Sequence, residues 1–403
     1  MRSELIEIFL TTWLWMFVAG AHVFLYIKLP APMTLRFSII NVFGVGLLFG
    51  AQAAGLLLGL AVVLWLMLWP ITILKRRGHT RFVPWMGCLS IALLASLFVA
   101  YKLYFDTALT VGRQVDHPAK IEALYRLLRA VSFSYVFVRG IDLIRSVVWS
   151  SHRLLNPLSL TGYLGPFHMI IAGPISPYAE HVKADDVQRP EPMFAHLLTC
   201  TNTIATGLFL KVVVAQAMKL FLFGVEGSIV STSWVDSAYL LAFLFYDFAG
   251  YSLIALGIGR LLHIPTPVNF DRPYLATSVT DFWQRWHMSL GVFVRNNLFL
   301  PLQLFLARRV KRRSWVTLVG VLPLAIAFVF VAMWHRVSVS FFIWGVGMAA
   351  VMTVEKLIRD RAAVRDWLQH PRVKMAHRVI GPVYTLGVII TSVHYVANEI
   401  FVG

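Results

Sequence analysis

The chain has 403 residues, of which 58% are hydrophobic and only 14% charged, and its mean hydropathy is +0.72. A soluble globule needs about a quarter of its residues charged to cover its surface, so this is a membrane protein, and no soluble module is left to carry a nucleic-acid role. The 36 Lys and Arg against 19 Asp and Glu, net +17, gather instead in short segments between apolar runs, LKRRGHTR (74–81) and ARRVKRR (307–313). Cytoplasmic loops have this composition, and there the cations also meet anionic lipid headgroups.

Apolar runs long enough to cross a bilayer, roughly 17–25 residues each, recur along the whole chain. They predict about eleven spans, near 6–27, 37–53, 54–73, 84–104, 130–149, 159–173, 195–223, 237–262, 316–334, 338–354 and 380–401. The first has early glutamates and no small-residue cleavage site, so it reads as a span and not a cleaved signal. Cys88 and Cys200 both lie inside apolar runs, which excludes a disulfide framework and a CxxC metal site, and no metal is expected. Residues 105–128 read as a loop followed by an amphipathic interfacial helix. In 130–149, Arg139 and Asp142 stand three apart and are expected to pair. Gly173-Pro174 is expected to break a helix. Lys211 and Asp247 fall inside apolar spans, where an ionisable group is costly and conspicuous. No internal repeat or soluble insert interrupts the pattern, so residues 1–403 are read as a single all-α polytopic domain.

Residues 263–315 do not read as a span. This stretch is rich in proline and charge before its apolar part, yet also rich in Trp and Phe, and irregular backbone at membrane depth is tolerated only beside protein or a water-filled cavity. Within it lies DFWQRWHMSL (281–290). Thr277 or Ser278 is positioned to cap a helix starting near Asp281. Trp283, Trp286, Leu290 and Phe293 then follow as one apolar stripe, with His287 one turn after Trp283, and Arg285 one turn after Asp281 as its ion-pair partner. Downstream, His335 ends one apolar run and nearly abuts the next. Histidine exchanges a proton near neutral pH, as a general base acting on a hydroxyl must. An aromatic-belt position beside Trp334, with Arg336 reaching to headgroups, is the plain alternative.

The stretch LFYDFAGYS (244–252), running through WHMSL (286–290) to MWH (333–335), which places His335 48 residues after His287, resembles the membrane-bound O-acyltransferase (MBOAT) family. The resemblance is to its bacterial branch, which esterifies teichoic acids with D-alanine or acetylates alginate and exopolysaccharides. Weaker similarities, SFSYVFVRGIDLIR (132–145), IIAGPISPY (170–178) and GLFLKVVVA (207–215), extend it over about residues 130–355. The resemblance implies re-entrant and amphipathic helices around a central tunnel in the cytoplasmic (inner) membrane. Through it a short acyl group, acetyl or D-alanyl, passes from a cytoplasmic thioester to hydroxyls of an extracytoplasmic polysaccharide or cell-wall polymer. The enzyme class expected is an O-acyltransferase for groups other than amino-acyl or D-alanyl.

By the same resemblance His335 and His287 are the catalytic pair. Asp281, Trp283, Arg285, Trp286, Ser289, Asn297, Trp334 and Asp247 are taken as lining the tunnel, with Trp334, Asn297 or backbone amides as donors to the oxyanion. No cofactor is held permanently; the co-substrate is an acyl-carrier protein or acyl-CoA. Arg308, Arg309, Arg312 and Arg313 are candidates for docking that donor by charge, and equally serve as a topology signal. A separate extracytoplasmic acyltransferase partner is also implied. The chain departs from the family pattern at Arg336, where glycine is usual, and at Asn296, where aspartate is common. A small-solute transporter and a catalytically drifted assembly component are the alternatives.

Overall fold

A computed structural model describes residues 12–26, 31–110, 119–150, 152–186, 193–223, 233–310, 316–361, 364, 366 and 370–400. These are almost wholly helical, and among the described residues the only isolated β-bridge joins Phe270 to Trp286 in antiparallel fashion. That is the expected outcome in lipid, where each backbone amide must be satisfied within its own segment. Seven helices are long and apolar enough to cross a membrane: Ala51–Arg76, Val83–Tyr104, Phe194–Phe221, Trp234–Leu261, Met288–Arg309, Val339–Arg359 and Pro371–Ala397; shorter apolar helices cover Leu14–Leu25, Met33–Phe49 and Val319–His335. The chain is an all-α, multi-pass membrane protein.

Three boundaries differ from the sequence reading. The span expected at 159–173 is only an eight-residue helix, Pro157–Leu164, followed by turns. Residues 105–110, expected in a loop, continue the helix Val83–Thr110, and the amphipathic helix follows at Ala119–Ala130. Conversely, Met288–Arg309 is apolar and continuous enough to span, although 263–315 as a whole does not read as a span. Three of the window's four prolines lie before residue 288, and a basic cluster follows at 308–313, so the apolar stretch between them is masked when the window is read as one.

The chain forms two compact units, the first made of Met1–Tyr101, Arg113–Val212 and Gly250–Pro267, the second of Lys102–Gly112, Val213–Ala249 and Val268–Gly403. In the first unit, helices Met33–Phe49 and Ala51–Arg76 meet at Gly50, whose φ of 88° lies in the left-handed region that glycine enters without strain. The short helix Pro157–Leu164 packs on both. It begins in a proper cap, the Asn156 side chain accepting from the Ser159 amide at 2.8 Å. Its C-terminal carbonyls are met from the neighbouring helix: Asn41 Nδ2 donates to Thr161 O at 3.0 Å and Gly165 O at 3.1 Å, while its Oδ1 accepts from the Phe167 amide at 2.6 Å.

The pairing expected between Arg139 and Asp142 does not form. Arg139 is 1% exposed and donates to the carbonyls of Leu164 and Pro174 at 3.1 and 3.0 Å. Asp142 accepts from Arg145, the Tyr163 hydroxyl and the Tyr178 amide. Both groups are used by the irregular segment 164–178, whose backbone has no helical partner and must be satisfied from elsewhere. No helix reaches Gly173-Pro174 to be broken there, since the preceding one already ends at Leu164; a Cβ at Gly173 would run into the Met169 backbone. Lys211 is buried within a π-helical segment, Phe209–Val214.

In the second unit, Val316–His335 and Val339–Arg359 form a closely packed hairpin. A Cβ on Gly345 would sit 2.9 Å from the Phe328 carbonyl, so only glycine permits that approach. Helix Pro371–Ile400 packs beside Val339–Arg359, and the short helix Val279–Arg285 packs against both. Their common core is Leu241, Ala276, Val279, Phe282, Met348, Met352 and Ile389.

Candidate active site

The second unit holds both candidate histidines, and the local structure around each follows from identifiable contacts. Ser278, not Thr277, caps helix Val279–Arg285, accepting from the Asp281 amide at 3.1 Å. Asp281 accepts from the Thr277 amide at 3.0 Å and from Arg285 Nε at 2.7 Å, so the expected ion pair forms. That hydrogen bond, more than the carboxylate's charge, holds the Arg285 guanidinium above its ordinary range.

The helix then stops. The expected continuous stripe from Trp283 to Phe293 is broken at His287, which has φ 46° and precedes a new helix, Met288–Val294. The reason lies in segment 269–271, which runs alongside and captures the backbone groups a continuing helix would use. Asp271 N–H donates to Arg285 O at 3.0 Å, and Met288 N–H donates to Asn269 O at 2.9 Å. Histidine tolerates the left-handed region better than most residues, and such positions cluster at functional sites.

His287 is 5% exposed. Its Nδ1 lies 3.4 Å from Asn269 Oδ1, its ring meets Phe248 edge-on at 4.7 Å, and its Nε2 is buried with no hydrogen-bond partner among the described residues. Ser289 donates to the same Asn269 oxygen from Oγ at 2.6 Å and from its backbone amide at 3.3 Å. Trp286 packs edge-on against Phe270 and stacks on Phe282. Trp283 packs between Phe328 and Trp344, and its indole N–H is buried without a partner.

His335 is the last residue of helix Val316–His335. Its ring packs against buried Trp334, centroids 4.8 Å apart. His335 is exposed as a residue, and it lies within electrostatic reach of His287. Lys102, only 7% exposed, donates to the His335 carbonyl at 3.0 Å, a cation at the negative end of the helix. Neither Asn269 nor Lys102 was singled out from sequence. Lys102 is a lone cation in an apolar run, which was a usable signal; Asn269 sits in a proline-rich loop and carried none.

The remaining candidates are spread more widely. Asn297 donates to Phe293 O at 2.9 Å within a π-helical turn, Arg295–Phe299, and Asp247 is half-buried on Trp234–Leu261. Arg308 and Arg309 are exposed at a helix end, with Arg309 over the Phe305 ring at 4.4 Å. Arg312 and Arg313 lie outside the described residues. Among the described residues no three His, Cys, Asp or Glu side chains converge as a metal requires.

Comparison with known proteins bears on this arrangement. The chain is 26% identical over 266 residues to the teichoic acid D-alanyltransferase of Bacillus subtilis, covering 64% of this chain and 67% of that protein. It is 31% identical over 195 residues to the peptidoglycan O-acetyltransferase of Helicobacter pylori, covering 47% and 36%. It is 26% identical over 237 residues to the Pseudomonas aeruginosa protein named "Probable alginate O-acetylase AlgI", covering 58% and 42%. The chain thus spans about two thirds of the first relative and less than half of the other two. A sequence profile of the MBOAT, membrane-bound O-acyltransferase, family matches residues 93–392, a stretch that holds both histidines. The chain belongs to the membrane-bound O-acyltransferase family.

Proposed function

We propose that the chain is an O-acyltransferase of the cytoplasmic membrane that moves an acetyl or D-alanyl group from a cytoplasmic thioester to hydroxyls of an extracytoplasmic envelope polymer. Relatives that carry either group keep both in view. The observation that carries the reading is the pair of histidines held in one unit within electrostatic reach of each other, with His335 exposed and its ring packed on buried Trp334. In the reaction a polymer hydroxyl oxygen attacks the thioester carbonyl carbon. His335 takes the hydroxyl proton as the new C–O bond forms. The C–S bond then breaks, and the thiolate leaves to be protonated. His287 serves as the second imidazole for proton transfer, and Trp334 Nε1, beside the His335 ring, is a side-chain candidate for donating to the oxyanion. A site that excludes water protects the thioester from hydrolysis.

The donor is an acyl-carrier protein or acyl-CoA, with Arg308, Arg309, Arg312 and Arg313 attracting it by charge. An extracytoplasmic acyltransferase partner completes delivery to the polymer. The test is His335→Ala in cells, with acetate and D-alanine released from the envelope by mild alkali and measured by mass spectrometry. Ester content should fall by about 10²–10⁴-fold with normal membrane levels of the variant. Unchanged esters in that variant would falsify the reading and leave the transporter as the better one.

A further inference from the structure

The turn at His287 contains an arrangement that determines which ring nitrogen carries the proton. Three groups converge on Asn269 Oδ1: the Ser289 backbone N–H at 3.3 Å, Ser289 Oγ at 2.6 Å and His287 Nδ1 at 3.4 Å. The two ends of an amide side chain have nearly the same shape, so chemistry must decide which end faces them. A backbone N–H only donates, so the atom opposite Ser289 N–H is the oxygen. The same oxygen faces His287 Nδ1, which therefore carries a hydrogen. In a neutral imidazole, a hydrogen on Nδ1 leaves Nε2 as a lone-pair acceptor, and Nε2 is the atom that is buried without a partner. Asn269 is itself immobilised. It is 1% exposed, its carbonyl accepts from Met288 N–H at 2.9 Å, and its neighbour Phe270 bridges to Trp286.

We propose that Asn269 is a positioning residue for His287: its side-chain oxygen fixes the Nδ1–H tautomer and so presents an unprotonated Nε2 as a proton acceptor, the second beside His335. Orienting partners of this kind commonly decide both the tautomer and the aim of a functional imidazole. The inference rests on the acyltransferase reading for its consequence, but not for its tautomer. Asn269→Leu removes the acceptor while keeping size and the backbone contact to Met288; Asn269→Asp keeps an acceptor of the same shape.

The direct readout is nitrogen-15 NMR of histidine-labelled protein in lipid nanodiscs, with His287→Gln used to assign the His287 signal. The wild type should show Nδ1–H, and Asn269→Leu should lose that preference. In cells, envelope esters should fall about ten- to a hundredfold in Asn269→Leu and recover in Asn269→Asp, a rescue that a purely structural role for the residue would not require. An Nε2–H signal in the wild type overturns the proposal. So do wild-type esters in Asn269→Leu when His287→Gln is inactive. Full activity in His287→Gln instead removes the catalytic role assigned to that ring, and the NMR signal then decides the positioning claim alone. Should Asn269→Leu fail to accumulate, the wild-type signal and the Asn269→Asp variant carry the test.

Discussion

Asn41 satisfies three backbone groups at once, donating to two carbonyls and accepting from one amide, and it does so with no exposed surface. Asn41→Asp keeps the shape and the acceptor but loses both donors and turns a carboxylate oxygen toward two carbonyls. An orphaned buried polar group costs about 1–3 kcal/mol, so a clear fall in thermal midpoint is expected in purified protein. Wild-type stability in Asn41→Asp would mean that the side chain is not bonded as described. Nothing in a single sequence marks Asn41, because its partners lie about 120 residues away in the chain. His335 was legible for the opposite reason: an ionisable residue next to an apolar run is conspicuous without any partner being known. Arg139 was equally conspicuous, yet its partners were misread, since local spacing favours Asp142 while the buried carbonyls of Leu164 and Pro174 need donors more.

The short helix Val279–Arg285 shows how an element can depend on a distant residue. Its first amides point at Glu355 of helix Val339–Arg359: Val279 N–H donates to Oε1 at 2.8 Å, and Thr280 donates to Oε2 from its amide at 3.2 Å and its hydroxyl at 3.0 Å. A carboxylate at a helix N-terminus meets both the free amides and the positive end of the dipole. In Glu355→Gln one oxygen becomes an NH₂ that faces another donor, so unfolding in nanodiscs should occur earlier, by about 1–3 kcal/mol. If Gln proves as stable as Glu, hydrogen bonding does not hold this helix in place. The cap at Ser278 and the Asp281–Arg285 pair were readable because they lie within four residues of each other. The stop at His287 was not, since periodicity alone continued the stripe to Phe293, and the segment that interrupts it arrives from residues 269–271. The same limit hid the spanning helix Met288–Arg309 behind the prolines that precede it.

For the whole molecule, the +17 charge acts through its distribution. Arg308 and Arg309 are exposed at the end of a spanning helix, where cations both orient the chain in the bilayer and attract anionic partners. Replacing Arg308, Arg309, Arg312 and Arg313 together with glutamine should weaken binding to an acyl-carrier protein measured at low ionic strength. The difference from wild type should vanish as salt shortens the screening length to about 3 Å at 1 M. Inverted topology with unchanged binding would assign the cluster to orientation alone. By itself the sequence determined membrane residence, helical class and the family, and it marked two histidines as candidates, because hydropathy, ionisable residues in apolar runs and a short motif are local properties of the chain. Only the tertiary structure decided where helices stop, which carbonyls a buried cation serves, and which nitrogen of His287 has no hydrogen-bond partner among the described residues. Each of those depends on backbone groups brought in from elsewhere in the chain, and a buried donor or acceptor takes whichever partner the packing supplies.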